Sequence, residues 1–242
     1  MSKPTIHHVS PSSLSDLPSR VEYLKQFIGF GSDDAVALQS AASVLGPMVP
    51  QIVDAVYDKL LSFDITAQSF VPRQTGYAGA TPKSVSELSQ EHPQIKFRKN
   101  FLSGYLVKLV TLDFEKMSSW EYLDKVGLMH TGQAGFAHRA KKPALRVEYI
   151  HCAILLGYVE DILINAVMTH PDLDLSTKNE VARAANKLIW IQNDLFSRHY
   201  IAQAETEAAT KVIKIDRQLA ATLALGLVTI GVVLSRLSSL IL

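Results

Sequence analysis

Residues 120–132 read WEYLDKVGLMHTG, and within them Trp120, Leu123, Gly127 and His130 are separated by steps of three, four and three. On an α-helix those four share one face. Gly132 follows at once, as a helix stop would. A flat macrocycle laid along this face needs a small residue one turn before its ligand, and Gly127 supplies one. The imidazole of His130 then leaves an apolar wall, which is what an iron porphyrin requires of a proximal ligand. The same spacing also suits a hydrogen-bonded core histidine, so the stripe by itself leaves both readings open.

Outward from that stretch, apolar residues recur at helical intervals and alternation bounded by hairpin turns is scarce, so the chain reads as all-α. A first short helix covers Ser19 to Phe30 on the stripe Val21, Leu24 and Ile28. Ser32, Asp33 and Asp34 offer an N-cap and an acidic first turn for a helix to Leu45. Pro47 and Pro50 open the next, through Ile52, Val53, Val56, Tyr57 and Leu60. Gly76, Gly79 and Pro82 make a loop of Pro72 to Lys83. Pro93 starts a helix with Phe97, Phe101 and Tyr105 one turn apart and Lys96, Arg98 and Lys99 turned to water or an anion. A helix from Phe114 to His130, a loop holding Gly132, Gly135 and Pro143, and two long helices, Leu145 to His170 and Ser176 to about Glu207, complete the domain.

The chain has 242 residues, 24 Lys and Arg against 23 Asp and Glu, and one cysteine, Cys152. Near-neutral charge gives no field for nucleic acid. A single cysteine rules out an internal disulfide and a cysteine-rich zinc site, and suits a reducing compartment. There is no Gly-rich phosphate loop, no HExxH helix and no nucleophile elbow, which argues against a conventional kinase or hydrolase. Residues 1–15 carry five serines, two prolines and the pair His7 and His8, a mixture read as a mobile tail without a secretory signal. At the other end, Leu219 to Leu234 is free of charge and only Arg236 interrupts the apolar run to Leu242. As a helix, 219–242 would reach roughly 36 Å, enough to cross a hydrocarbon core. Lys211, Lys214 and Arg217 stand before it as a cytosolic flank would. The expected organisation is a tail at 1–15, a domain at 16–207, a basic linker at 208–218 and a C-terminal membrane anchor at 219–242. A terminal helix buried in an oligomer is the alternative to the anchor.

Four strings, IVDAVYDKLL at Ile52–Leu61, FRKNF at Phe97–Phe101, YLDKVGLMH at Tyr122–His130 and YIHCAILLGYVEDIL at Tyr149–Leu163, resemble the corresponding helices of protoglobins and the globin sensors. They stand in protoglobin order, with a longer loop between Phe70 and Pro93, and the resemblance spans residues 19–205. It implies a globin fold with an extra N-terminal helix, one haem b (iron protoporphyrin IX) and the gas ligands O2, CO and NO. By that resemblance His130 is the proximal ligand to iron, Tyr57 the distal tyrosine and Phe101 the distal-wall aromatic. Tyr158 stands where the family usually has a phenylalanine, and Ile162 matches a haem contact one turn later. Phe97 occupies the position where many other globins have a distal histidine. Val56 departs from the tryptophan that often precedes the distal tyrosine, which alters the pocket's shape.

In these roles His130 donates a ring nitrogen to iron while its other N–H meets a carbonyl or carboxylate. The Tyr57 hydroxyl favours O2, which gains negative charge on binding, over CO. Phe97, Phe101, Tyr158 and Ile162 exclude water. Arg98 and Lys99 are candidates for the haem propionates, with a solvated helix face as the alternative. His151 is a weaker candidate ligand; His138 reads as solvent-facing, His92, His170 and His199 as caps or solvated, and Trp190 and Phe196 as core. The function expected is gas sensing or oxygen binding by a cytoplasm-facing globin anchored to an intracellular membrane, as a homodimer through its two long helices, with no recognisable output domain after Glu207. Two other readings are a haem-dependent NO dioxygenase or peroxidase-like enzyme, and a haem-free, tail-anchored helical interaction protein.

Overall fold

Asp16 starts the first helix by accepting the Ser19 backbone N–H at 3.0 Å, and Gly29, at φ 70°, ends it in the left-handed conformation that glycine adopts without steric cost. This helix, α1, runs Leu17–Ile28, two residues earlier than its apolar stripe indicates. The computed structural model describes residues 5–134 and 146–241, with the backbone alone at 212 and from 215 onward. A single 3-10 turn, Pro11–Ser15, precedes α1, and Arg20 donates to the Leu14 carbonyl at 3.1 Å.

The helix expected from Ser32 to Leu45 is two pieces, α2 (Ser32–Ser40) and α3 (Ala42–Leu45), meeting at Ala41. The Asp34 carboxylate accepts the Gly31 N–H at 2.9 Å and closes the first turn of α2. Pro47 and Pro50 lack the N–H groups a continuing helix needs, so a 3-10 turn at Gly46–Met48 intervenes before α4 (Val49–Leu61). After α5 (Asp64–Ala67) and a turn at Gln68–Phe70, an extended segment with one further 3-10 turn leads to α6 (Pro93–Thr111). His92 caps α6, its Nδ1 accepting the Gln94 N–H at 3.1 Å. Then follow α7 (Met117–His130), α8 (Tyr149–Thr169) and α9 (Leu175–Ile241). α6 packs on α4, α2 and α3; α8 lies on α4, and α1 on α7. Among the described residues there is no strand, only an isolated bridge between Thr131 and Arg146.

One hydrophobic core, including Leu38, Val56, Ile95, Leu123, Leu188 and Leu195, fills the unit Met1–Ser197. Phe30, Phe114 and Trp120 meet edge-on or tilted at 5.3–5.7 Å, and the Trp120 indole N–H donates to the Phe114 carbonyl at 3.0 Å. Ser119 donates to the Asp113 carbonyl at 2.6 Å, so 114–116 is a turn and α7 begins at Met117, not at Phe114. Two half-buried ion pairs tie the first helices to α9. Arg20 holds Asp194 through two bonds of 2.6 and 2.8 Å, and Lys187 holds Asp34 at 2.8 Å and the Gly29 carbonyl at 2.7 Å.

α9 does not stop near Glu207. No Gly or Pro interrupts 175–225, and alanine and other strong helix formers carry it through the segment expected as a basic linker. In the unit Arg198–Leu242 the backbone is helical to Ile241. The side chains of the expected membrane anchor lie outside the described residues, as do Gly135, His138, Arg139, Lys141 and Lys142. Within the described residues, 32–61 and Tyr149–Thr169 are long and apolar enough to cross a membrane by composition, but both contribute to the hydrophobic core.

The seam between α7 and α9 sets the position of everything at the end of α7. A Cβ added at Gly127 would lie 2.6 Å from the Leu195 carbonyl oxygen and 3.0 Å from the Phe196 Cα. Gln192, buried on α9, donates to the Leu123 carbonyl at 3.2 Å one turn away. Gly127→Ala should therefore destabilise the fold by about 1–3 kcal/mol, because the two helices must part to admit the methyl. At Gly104, where an added Cβ meets nothing within 4 Å, the same change should be neutral or stabilising. Urea midpoints of the two variants check the pair.

Candidate functional site

At the end of α7 the stripe seen in the sequence leaves the core. Trp120, Leu123 and Gly127 are buried, and His130 is half-buried. The His130 Nδ1 lies 2.8 Å from the Val126 carbonyl oxygen, one turn back. A carbonyl only accepts, so the proton is on Nδ1 and the ring's lone pair on Nε2. That tautomer, held by a second hydrogen bond, is the form in which histidine ligates a metal. The ring is tilted against Phe196 of α9 at 5.0 Å. Gly127, expected to clear a porphyrin, is here required by the backbone of α9.

Tyr57 sits on the buried face of α4, its ring 5.6 Å from that of Phe70. Burial pushes its phenol well above the ordinary range, and the positive charge of Arg98 opposes that shift. The phenol is thus neutral and able to donate at any physiological pH. Arg98 departs from its expected place on a solvated face. It is 8 % exposed, donates from Nη2 to the Pro72 carbonyl at 3.1 Å, and lies over the Phe70 ring at 5.0 Å. Those partners are what permit a guanidinium to leave water. Lys99 pairs with Asp54 of α4 at 2.8 Å and with Gln90, so its ammonium is engaged on α4. Lys96 stays on the solvated side with Glu91.

On α6 the expected aromatic stripe exists, but Phe97 and Phe101 stay outside the core and Tyr105 alone of the three packs against it. Phe97 and Phe101 meet edge-on at 5.2 Å, Tyr77 covers Phe97 at 5.5 Å, and Phe101 is 56 % exposed. Ile95, Leu106, Leu109 and Val110 form the core side instead. One turn past Phe101, the Tyr105 hydroxyl is buried with no hydrogen-bond partner, close enough to Tyr122 of α7 to feel it. The Lys108 ammonium of α6 lies over the same Tyr122 ring at 4.0 Å. Tyr158 of α8 is half-buried with the Lys59 ammonium over its ring at 5.3 Å, and Ile162 is half-buried against the core. His151 is half-buried in the first turn of α8, and Cys152 beside it is buried and free of any disulfide.

The candidates thus form distinct groups: Tyr57, Phe70 and Arg98; Tyr77, Phe97 and Phe101; and His130 with Phe196. The sequence reading does not single out Phe70 or Gln94. The available signal was a pair of polar residues, Gln94 and Arg98, spaced i, i+4 around the buried Ile95. A small apolar cavity lined by Leu38, Leu45, Leu109, Leu163, Leu188 and neighbours involves none of the candidate residues. Among the described residues no cluster of three or more His, Cys, Asp or Glu is placed to hold a bare metal ion, so metal chemistry at His130 calls for a group that brings its own remaining ligands. The donor set fits such a group: one tautomer-fixed imidazole, a neutral buried phenol and aromatic walls.

The profile of the Protoglobin family matches residues 17–206. No curated protein matches the sequence. Among solved structures, the globin domain of a Geobacter sulfurreducens globin-coupled sensor is similar, with a TM-score of 0.53 at 17 % identity, covering 74 % of this chain and 96 % of that one. That similarity shows the fold, an all-helical globin. The chain belongs to the Protoglobin family, and its membership implies haem binding.

Proposed function

We propose that this globin binds a b-type haem with His130 as the proximal ligand and takes O2, CO or NO on the opposite side, under Tyr57. The observation that carries the reading is the His130 Nδ1–H bond to the Val126 carbonyl, which leaves the lone pair on the nitrogen a metal would take. Haem, when bound, supplies the iron that holds a diatomic gas and passes electron density to it. Phe97 and Phe101 of α6 and Tyr158 and Ile162 of α8 would supply its apolar contacts. Phe196 fixes the plane of the His130 ring. Tyr57, held neutral by burial, donates to an electron-rich ligand atom and favours O2 over CO.

The protein's reading as a gas sensor or oxygen carrier at a membrane follows from two further features. The charge-free run from Leu219 to Leu234 supports a C-terminal anchor, and α9 carries a helical backbone through it. Exposed Ile150 and Ile154 on α8 and Trp190 on α9 support a homodimer through these helices.

The tests use the full chain in detergent. His130→Ala should lose most of its Soret absorbance after haem addition, while His151→Ala should keep it; equal retention by both would remove His130 as the ligand. Tyr57→Phe should release O2 roughly 10- to 100-fold faster, the loss of one hydrogen bond to a charged acceptor, and change CO release little. Flotation with liposomes checks the anchor: wild type should float, and a variant with Leu227→Arg and Ile230→Arg should stay in the aqueous fraction.

A further inference from the structure

Where α2, α3, α6, α8 and α9 converge there is a cavity of about 20 Å³, counted as the space open to the centre of a water-sized sphere. Leu38, Leu45, Leu109, Leu163, Ala185 and Leu188 stand in its wall, and every side chain that lines it is aliphatic. Its origin lies in the backbone. α2 gives way to α3 at Ala41, and α6 ends at Thr111, two residues after Leu109, so no helix runs on through this point to fill it. On α9, Ala185 then offers a single methyl where Leu188, a turn later, offers a full isobutyl group.

Size and lining together decide what such a space can hold. A water molecule needs roughly 10–15 Å³ measured in this way, and two to four polar partners. The room is present, but no polar atom faces the cavity. Charged and strongly hydrated ligands meet the same obstacle, because nothing in the wall replaces their hydration. A neutral apolar molecule gives up little hydration on entry and gains dispersion contacts on every side, contacts that the lining of an empty void forgoes. Diatomic gases are molecules of this kind and of this size. All the lining residues are buried except Leu163, which is half-buried, so its side chain is the part of the wall nearest to solvent.

We propose that this cavity is an internal docking site for one small apolar gas molecule, with the Leu163 side chain as its gate. The site includes none of the residues assigned to the iron, and it holds a gas by dispersion alone, without a metal or a hydrogen bond. O2, CO and NO enter it on nearly equal terms, in contrast to the discrimination assigned to Tyr57. The inference goes beyond the haem reading and stands whether or not the chain takes up haem.

Xenon, an apolar sphere that forms no bond to iron, is the probe. The full chain in detergent, with isotopically labelled Leu, Val and Ile methyls, is titrated with xenon by NMR, as its CO complex where haem is bound so that the iron is diamagnetic. The methyl resonances of Leu38, Leu109 and Leu188 should shift and saturate, whereas those of Val56 and Leu123, as deeply buried but outside the cavity wall, should stay in place. Dissolved O2, which is paramagnetic, should broaden the same cavity methyls and spare the same controls. Ala185→Leu fills the space and should abolish both responses. Leu163→Ala opens the gate and should speed xenon exchange while the shifts still saturate. Absence of any shift, or shifts spread evenly over the core, would reduce the cavity to a packing void and overturn the proposal, as would a nuclear Overhauser effect from water to the Leu38 or Leu188 methyls. If Ala185→Leu fails to fold, Leu163→Phe decides: it plugs the cavity from its half-buried side, and a response as large as wild type would overturn the site. A chain without a Soret band on haem addition removes the haem reading and leaves the xenon result standing, so the two failures are told apart.

Discussion

The bare backbone contact between α7 and α9 at Gly127 is the constraint on which the rest of this structure depends. Two helices approach until a carbonyl oxygen of one fills the space a methyl would take on the other. Ordinary side-chain packing separates helix axes by 8–10 Å and leaves each free to slide by a fraction of a turn. Contact at this range removes that freedom. His130 follows Gly127 by three residues, so its ring inherits a defined place beside Phe196 and a defined distance from its own helix carbonyl. The chemistry proposed for the imidazole is thus a consequence of helix packing one turn earlier.

The surroundings of Tyr57 are organised differently: they come from an irregular segment clipped to α6 by Gln94 and Arg98. Irregular backbone inside a protein must have its polar groups satisfied from elsewhere. Gln94 does so with both ends of one amide, and for that reason can be wholly buried. His130 is placed by van der Waals exclusion one turn earlier on its helix, and the segment beside Tyr57 by directed hydrogen bonds.

Much of this was legible in the sequence, and the failures have physical causes. The starts made by Pro47, Pro50 and Pro93 act on the backbone alone, so α4 and α6 lie near their expected bounds, whereas α1 ends at Gly29, before the expected Phe30. The order of the four helical strings led to the family. Periodicity failed on α6, because that helix is apolar on two sides. Ile95, Leu106 and Leu109 form one stripe, and Phe97, Phe101 and Tyr105 another. Helical spacing cannot say which of two stripes meets the core. Judged by size, the aromatic stripe claims the core and leaves Arg98 to water or an anion, whereas the aliphatic stripe is buried and takes Arg98 with it. At Gly127 the sequence reading asks for a small residue to clear a macrocycle; the atom that fills the space of its missing methyl is a carbonyl two elements later in the chain, which no local pattern encodes. The end of α9 was placed by composition where the apolar periodicity fades. Helix propensity continues beyond that point, and the backbone followed propensity.

The two ion pairs between the first helices and α9 join residues 174 and 153 positions apart in the chain. Arg20 and Asp34 are made early in synthesis, and their partners Asp194 and Lys187 leave the ribosome only when nearly the whole globin unit has been translated. Until then α1 and α2 have no mate for their charges and only part of the surface they finally cover. The packing of α2 on α6 and of α1 on α7 needs no part of α9, so in chain order these two charge pairs are the last fastenings of the unit to become possible.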